Sequence, residues 1–132
     1  MSIFGAMNVA YSGLVVDRKW LDAVSDNIAN MNNVSRTDEK AFQARYIVAR
    51  ANQYGSNGGA YVAGNLWGDP AGRVVSDPTN PLADADGNVR IPDINLSDQM
   101  AHLMIAQRAY QANLAVVDRS KSMYEAAIGI GK

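Results

Sequence analysis

Both ends of this chain carry a long proline-free run in which apolar residues recur at alternating steps of four and three. In the first run they fall at Ile3, Met7, Ala10, Leu14, Leu21, Val24, Ile28 and Met31, with Asp17 as the one polar intruder. In the second the positions are Leu96, Met100, Leu103, Gln107, Tyr110, Leu114, Val117, Lys121, Tyr124 and Ile128. A repeat of about 3.5 residues lays a stripe along one side of a helix, so that two such helices pack lengthwise. Helices are predicted over 3–31 and 96–128, each roughly 40–50 Å long at ~1.5 Å per residue. Asn30, Asn32 and Asn33 mark the end of the first, since Asn tolerates the left-handed cap conformation. Asn95 with Asp98 three residues on opens the second, and Gly129 and Gly131 close it. Gly13 costs the first helix about 1 kcal/mol relative to Ala, so tertiary packing must hold it there.

Between the helices the pattern changes. All four prolines and most of the glycines lie in residues 54–95. Residues 43–49 have strand content in Tyr46, Ile47 and Val48. Tyr61-Val62, Leu66-Trp67, Arg73-Val74-Val75 and Val89-Arg90-Ile91 read as short strands, the last after the turn Asp86-Gly87-Asn88. The expected fold is mainly α with a small β-rich insert. Two long antiparallel N- and C-terminal helices form a coiled-coil-like hairpin, with a Gly/Pro-rich irregular or β segment between them. At 132 residues the chain is expected to be a single domain: 1–33 the N-terminal helix, 34–95 the insert and 96–129 the C-terminal helix.

Composition narrows the chemistry. A hydrophobic share of 48% is enough for a core, which disfavours wholesale disorder. The formal charge of −1 gives no global pull toward nucleic acid or an anionic membrane. No cysteine means no disulfide, thiolate metal site or Cys nucleophile, and one histidine excludes a multi-His metal centre. The first basic residues, Arg18 and Lys19, follow the N-terminal apolar stretch, the reverse of a secretory signal. No run approaches the ~20 apolar residues of a membrane span.

The candidate sites read as backbone chemistry. Asp84-Ala85-Asp86-Gly87-Asn88 resembles a calcium loop only superficially: Gly is fourth rather than sixth, and Asn95 stands where a bidentate Glu belongs. A turn is the better account. His102 reads as a partly exposed helical residue. An enzyme would need Asp77, Asp84, Asp86 and His102 to converge on a pocket. No metal is expected, and on the residues alone the enzyme class stays open. Trp20 lies beside the stripe and is expected to be an exposed subunit contact.

Ser25-Asp26-Asn27-Ile28-Ala29-Asn30 resembles the signature near the N-terminus of bacterial flagellar rod and hook proteins, and Arg108-Ala109-Tyr110-Gln111-Ala112-Asn113 is similar to the family's C-terminal block. Residues 76–89 with Ile91-Pro92-Asp93-Ile94 resemble the central block of its C-type proximal rod branch. Asp118-Arg119, Asn88 and Asp93 depart from the family's habits.

The resemblance implies a structural subunit of the basal-body rod in the periplasmic space, exported by the flagellar type III apparatus without a cleaved signal peptide. It implies assembly with copies of itself and with B-, F- and G-type rod subunits and the basal-body adaptor subunit. It implies no cofactor and no catalytic residue, and charge and hydropathy add no expectation of nucleic-acid binding or membrane insertion. The terminal helices would polymerise into a tubular drive shaft that transmits torque. The expected subunit-interface residues are Ile3, Met7, Leu14, Trp20, Leu21, Val24, Ile28, Asn30, Met100, Leu103, Tyr110, Asn113, Leu114, Val117, Tyr124 and Ile128. The competing class is a coiled-coil adaptor or secretion chaperone forming a small closed oligomer.

Overall fold

The computed structural model describes residues 3–53 and 58–130. Helix α1 covers Ile3–Asn30 and helix α2 covers Leu96–Ile130, with four strands between them: β1 (Arg45–Ala51), β2 (Ala60–Trp67), β3 (Arg73–Ser76) and β4 (Asn88–Ile91). The architecture is mainly helical with a small β insert, as the periodicity and the glycine-rich middle require. The stretches Tyr61-Val62 and Leu66-Trp67 join into the single strand β2 across Gly64.

The α2 N-terminus is capped as its sequence requires. The Asn95 side-chain oxygen accepts from the Ser97 amide at 2.8 Å and the Asp98 amide at 3.3 Å. Those are donors that a helix start otherwise leaves without partners. At the other end α2 runs through Gly129 to Ile130 rather than stopping at the glycine; one glycine in a last turn weakens a helix without breaking it. Gly55 and Gly131 lie outside the described residues.

The chain divides into two compact units, each drawing on both helices. The first comprises residues 1–21, 47–64 and 104–132, the second 22–46 and 65–103. In the first unit the buried apolar positions are small or β-branched: Ala10, Val16 and Ala106. Ser12 ties α1 to β2 there. Its hydroxyl donates to the Val9 carbonyl at 2.6 Å and accepts from the Ala60 amide at 3.0 Å.

The second unit centres on β4. Strands β3 and β4 pair antiparallel from Arg73 opposite Ile91 to Ser76 opposite Asn88. Ser35 bridges the other edge of β4, exchanging both backbone hydrogen bonds with Arg90. Val89, Pro92, Ile94, Ala41 and Ala44 are buried around it, together with Ala23 and Val24 of α1.

Gly72 turns the chain into β3 at φ +55°, a region that L side chains rarely adopt. A Cβ there would press into the Ile91 carbonyl oxygen and come within 2.7 Å of the Ala41 Cβ. Gly72→Ala should therefore destabilise the chain by about 2–4 kcal/mol, combining left-handed strain with overpacking. Urea unfolding checks this; a change under about 0.5 kcal/mol would show that the turn relaxes freely.

Candidate assembly surface

In the first unit α1 and α2 run antiparallel: Phe4 meets Tyr124 and Asp17 meets Asn113, so residue numbers fall along one helix as they rise along the other. The Phe4 and Tyr124 rings stand edge to face, with centroids 5.4 Å apart and planes at 64°. The Asn113 amide donates to the Asp17 carboxylate at 2.8 Å. Asp17 is thus not an intruder in the stripe but half of a polar pair, 7% exposed, that fixes the helices' register. Gly13 makes room for it. A Cβ on Gly13 would lie 2.6 Å from the Asn113 amide nitrogen, which is why packing accepts a glycine inside a helix.

The inward side of α2 in this unit is Ala106, Tyr110, Asn113, Val117 and Ser120, buried or half-buried at steps of four and three. The expected stripe shares Tyr110 and Val117 with it. Its other members, Gln107, Leu114, Lys121, Tyr124 and Ile128, are exposed, although Tyr124 keeps its edge on Phe4. Hydrophobicity alone misplaces alternate positions of the stripe by one residue. Close approach to α1 selects small or hydrogen-bonding side chains at 106, 113 and 120 and turns the larger apolar ones outward.

The second unit holds a matching polar station. Asn27 is fully buried. Its amide donates to the Arg45 carbonyl and to the Gln99 side-chain oxygen, both at 3.0 Å, and its oxygen accepts from the Arg45 amide at 2.8 Å. One side chain therefore clamps α1, β1 and α2. Gln99 takes the inward position, 2% exposed, beside half-buried Leu103, while Leu96 and Met100 are exposed. The roles of Asn27 and Gln99 are missed by apolar periodicity, because amides carry no weight in it.

Of the remaining expected interface residues, Met7, Leu14, Trp20, Leu21 and Ile28 are half-buried, and Val24 is buried in its own unit. Trp20 is thus partly covered rather than exposed. Asn30 donates to the Asp26 carbonyl one turn back. Ile3 lies in α1, but its side chain is outside the described residues.

Several large apolar side chains remain uncovered. On α2 in the first unit, Met104, Ile105, Val116 and Met123 are 43–60% exposed. Across the same unit an open groove of about 380 Å³ is lined by Tyr11, Val15, Lys19, Ala60, Tyr61 and Val62, with Ser12 at its base. Exposed apolar side chains in such number on one unit are a usual mark of a binding surface.

The acidic loop between β3 and β4 is engaged with itself. Asp77 lies below the usual aspartate value of 3.8, held there by the Asn80 side-chain amide and then the Thr79 hydroxyl. Asp84 is lowered by the Asn88 backbone amide and then the Thr37 hydroxyl. Gly87, at φ +76°, completes the turn. Among the described residues no group of three His, Cys, Asp or Glu is placed to hold a metal, and no helix is long and apolar enough to cross a membrane.

A carboxylate with a depressed folded pKa lends stability above its unfolded value and loses it as pH falls through the folded one. The loop should therefore loosen below about pH 3.8 while staying intact at neutral pH. Amide exchange at Asn88 checks this: protection should be lost in acid. Protection unchanged down to pH 2 would contradict the assignment.

Residues 85–130 match the family model described as the C-terminal region of the flagellar basal body rod proteins FlgE, FlgF and FlgG. The chain is similar over its whole length to flagellar basal-body rod protein FlgC of several bacteria. Identity is 31% with that of Salmonella typhimurium and 33% with that of Yersinia enterocolitica, with 100% of both chains covered in each case. With the Bacillus subtilis protein it is 27%, again over all of both chains.

Proposed function

The chain belongs to the FlgC family of flagellar basal-body rod proteins, structural subunits of the rod, and on that premise we propose that it builds the rod by burying the outward faces of its terminal helices against neighbouring subunits. The observation that carries this is the line of exposed apolar side chains along a flank of α2, Ile105, Val116 and Met123, beside the face that packs on α1. Left in water these residues gain nothing. About half of each is still in water, so burying the rest contributes roughly 1 kcal/mol apiece.

The contact is long because the helices are long, so shear between subunits is resisted by many small contacts rather than one strong one. That suits a shaft that turns under load. A heterologous contact repeated without closing yields a helical tube, the form expected here. Tyr11, Val15, Leu114, Tyr124 and Ile128 are further exposed apolar side chains in the first unit, and Met100 is one in the second.

The neighbours are further copies and B-, F- and G-type rod subunits, with the adaptor subunit at the base. The subunit reaches the periplasm through the flagellar export apparatus with its N-terminus uncleaved. It works as a mechanical part and not as an enzyme, in keeping with an acidic loop whose Asp77 and Asp84 serve turn hydrogen bonds.

Removing residues 1–20 tests the role of the N-terminal helix. In cells lacking the intact gene, the shortened chain should be made but absent from isolated basal bodies, and swimming should be lost. Normal swimming with the shortened chain would refute the proposal. A small closed oligomer that never joins basal bodies would favour the adaptor or chaperone class instead.

A further inference from the structure

Ionised side chains are sorted between the two units. The first unit holds seven lysines and arginines against three acids, one of which, Asp17, is buried under the Asn113 amide; the second holds five against ten. The chain's formal charge of −1 conceals this, because the two excesses cancel.

Pairing inside each unit sharpens the contrast. In the first, Lys121 meets Glu125, while among the described residues Arg18, Lys19, Arg50, Arg108 and Arg119 have no ion-pair partner. In the second, Arg36, Arg45 and Arg73 are each matched by an aspartate, and Arg90 directs its guanidinium at the Ala71 and Thr37 carbonyls.

Both excesses sit beside uncovered apolar side chains. Arg108 and Arg119 lie one helical turn from Ile105 and Met123 on the outward side of α2. In the second unit Asp98, which makes none of these ion pairs, and Asp93, the partner of Arg73, line an open groove of about 340 Å³ with Tyr46, Asn95 and His102, next to exposed Leu96 and Met100.

Resting on the rod-subunit reading above, we infer that the outward basic face of α2 in one copy docks on the acidic groove at the start of α2 in a second copy, so that subunits join head to tail. A patch of one sign repels its own copy, so the helix faces cannot pair with each other even though both are apolar. Docking on the unlike patch satisfies both charge and hydrophobicity. Each copy then still offers one basic and one acidic face, which lets the series continue. Opposite charges steer the encounter and set its polarity, and the apolar residues dry the contact.

The test uses two charge-reversed chains in cells lacking the natural one. R108E/R119E makes both faces acidic, and D93K/D98K makes both basic. Each alone should lower the amount of chain in isolated basal bodies by roughly tenfold or more, because like charges now meet. Producing both together should restore it to within about threefold, since each variant now presents the unlike face to the other. All four side chains are exposed, and the one ion pair lost, Asp93 with Arg73, lies on the surface outside α2, so the helicity of the purified variants should be unchanged. The neutral pair R108Q/R119Q and D93N/D98N should each give smaller losses, and carries the test should a reversal impair folding. Full incorporation of either reversed chain alone, or no recovery on co-production, overturns the inference. Failure of the rod reading itself would look different: cells without the chain would build complete rods.

Discussion

Asn27→Ala should lower the free energy of unfolding by about 3 kcal/mol, the largest effect expected of any single side-chain truncation in this protein. Asn27 is fully buried and makes three hydrogen bonds, two with the Arg45 backbone and one with Gln99. Alanine removes all three and leaves the Arg45 amide, the Arg45 carbonyl and the Gln99 oxygen with no partner supplied by the protein. Each stranded buried group costs about 1–3 kcal/mol, reduced where water enters the space. Asn27→Asp separates the terms. It still accepts from the Arg45 amide but donates nothing and adds a charge in a dry site, so it should be at least as damaging as alanine. Urea unfolding should show a lower midpoint with an unchanged slope. A loss under about 0.5 kcal/mol would mean that the clamp is dispensable.

The second large effect concerns assembly rather than stability. Val116→Asp combined with Met123→Asp should leave the purified chain folded and reduce its incorporation into basal bodies at least about a hundredfold. Both side chains are exposed, at 43% and 60%, so the isolated fold loses no core contact. In the assembled rod the change removes two apolar contacts worth roughly 1 kcal/mol each and, at greater cost, places two carboxylates in a dry interface. Circular dichroism and quantitative blotting of isolated basal bodies read the two halves of this separately. Normal incorporation would show that the outward face of α2 stays wet in the rod.

These effects explain what could be read from residue order and what could not. The start of α2 is legible because Asn95 caps it with its side chain; α1 does stop at Asn30, but among the described residues no asparagine takes the left-handed cap conformation expected there. The β insert is legible from Tyr46-Ile47-Val48 and from the Asp86-Gly87-Asn88 turn. The inward face of α2 is not. Apolar periodicity selects Leu96, Met100, Leu114 and Ile128, which the fold leaves exposed, and passes over Gln99, Ala106, Asn113 and Ser120, which it buries.

The reason is that this helix pair is joined at polar stations, Asp17 with Asn113 and Asn27 with Gln99, where small and amide side chains are needed. Two signals pointed there. Asp17 interrupted an otherwise regular stripe, and Gly13 stood in a helix without a local reason. The family-like blocks around Asn27 and Asn113 carry the asparagines of these stations. Trp20, which the single-stripe picture leaves in water, is half-buried.

The outward face of α2 also supplies the decisive probe, because it contains Met104 and Met123, 55% and 60% exposed in the single chain. Mild peroxide converts accessible methionine to its sulfoxide. In the purified protein both residues should oxidise quickly, and in intact isolated basal bodies both should be protected at least about tenfold, having been buried against neighbouring subunits. Equal oxidation rates in the free chain and in the rod would show that this face meets water in both, and that the rod is held together elsewhere.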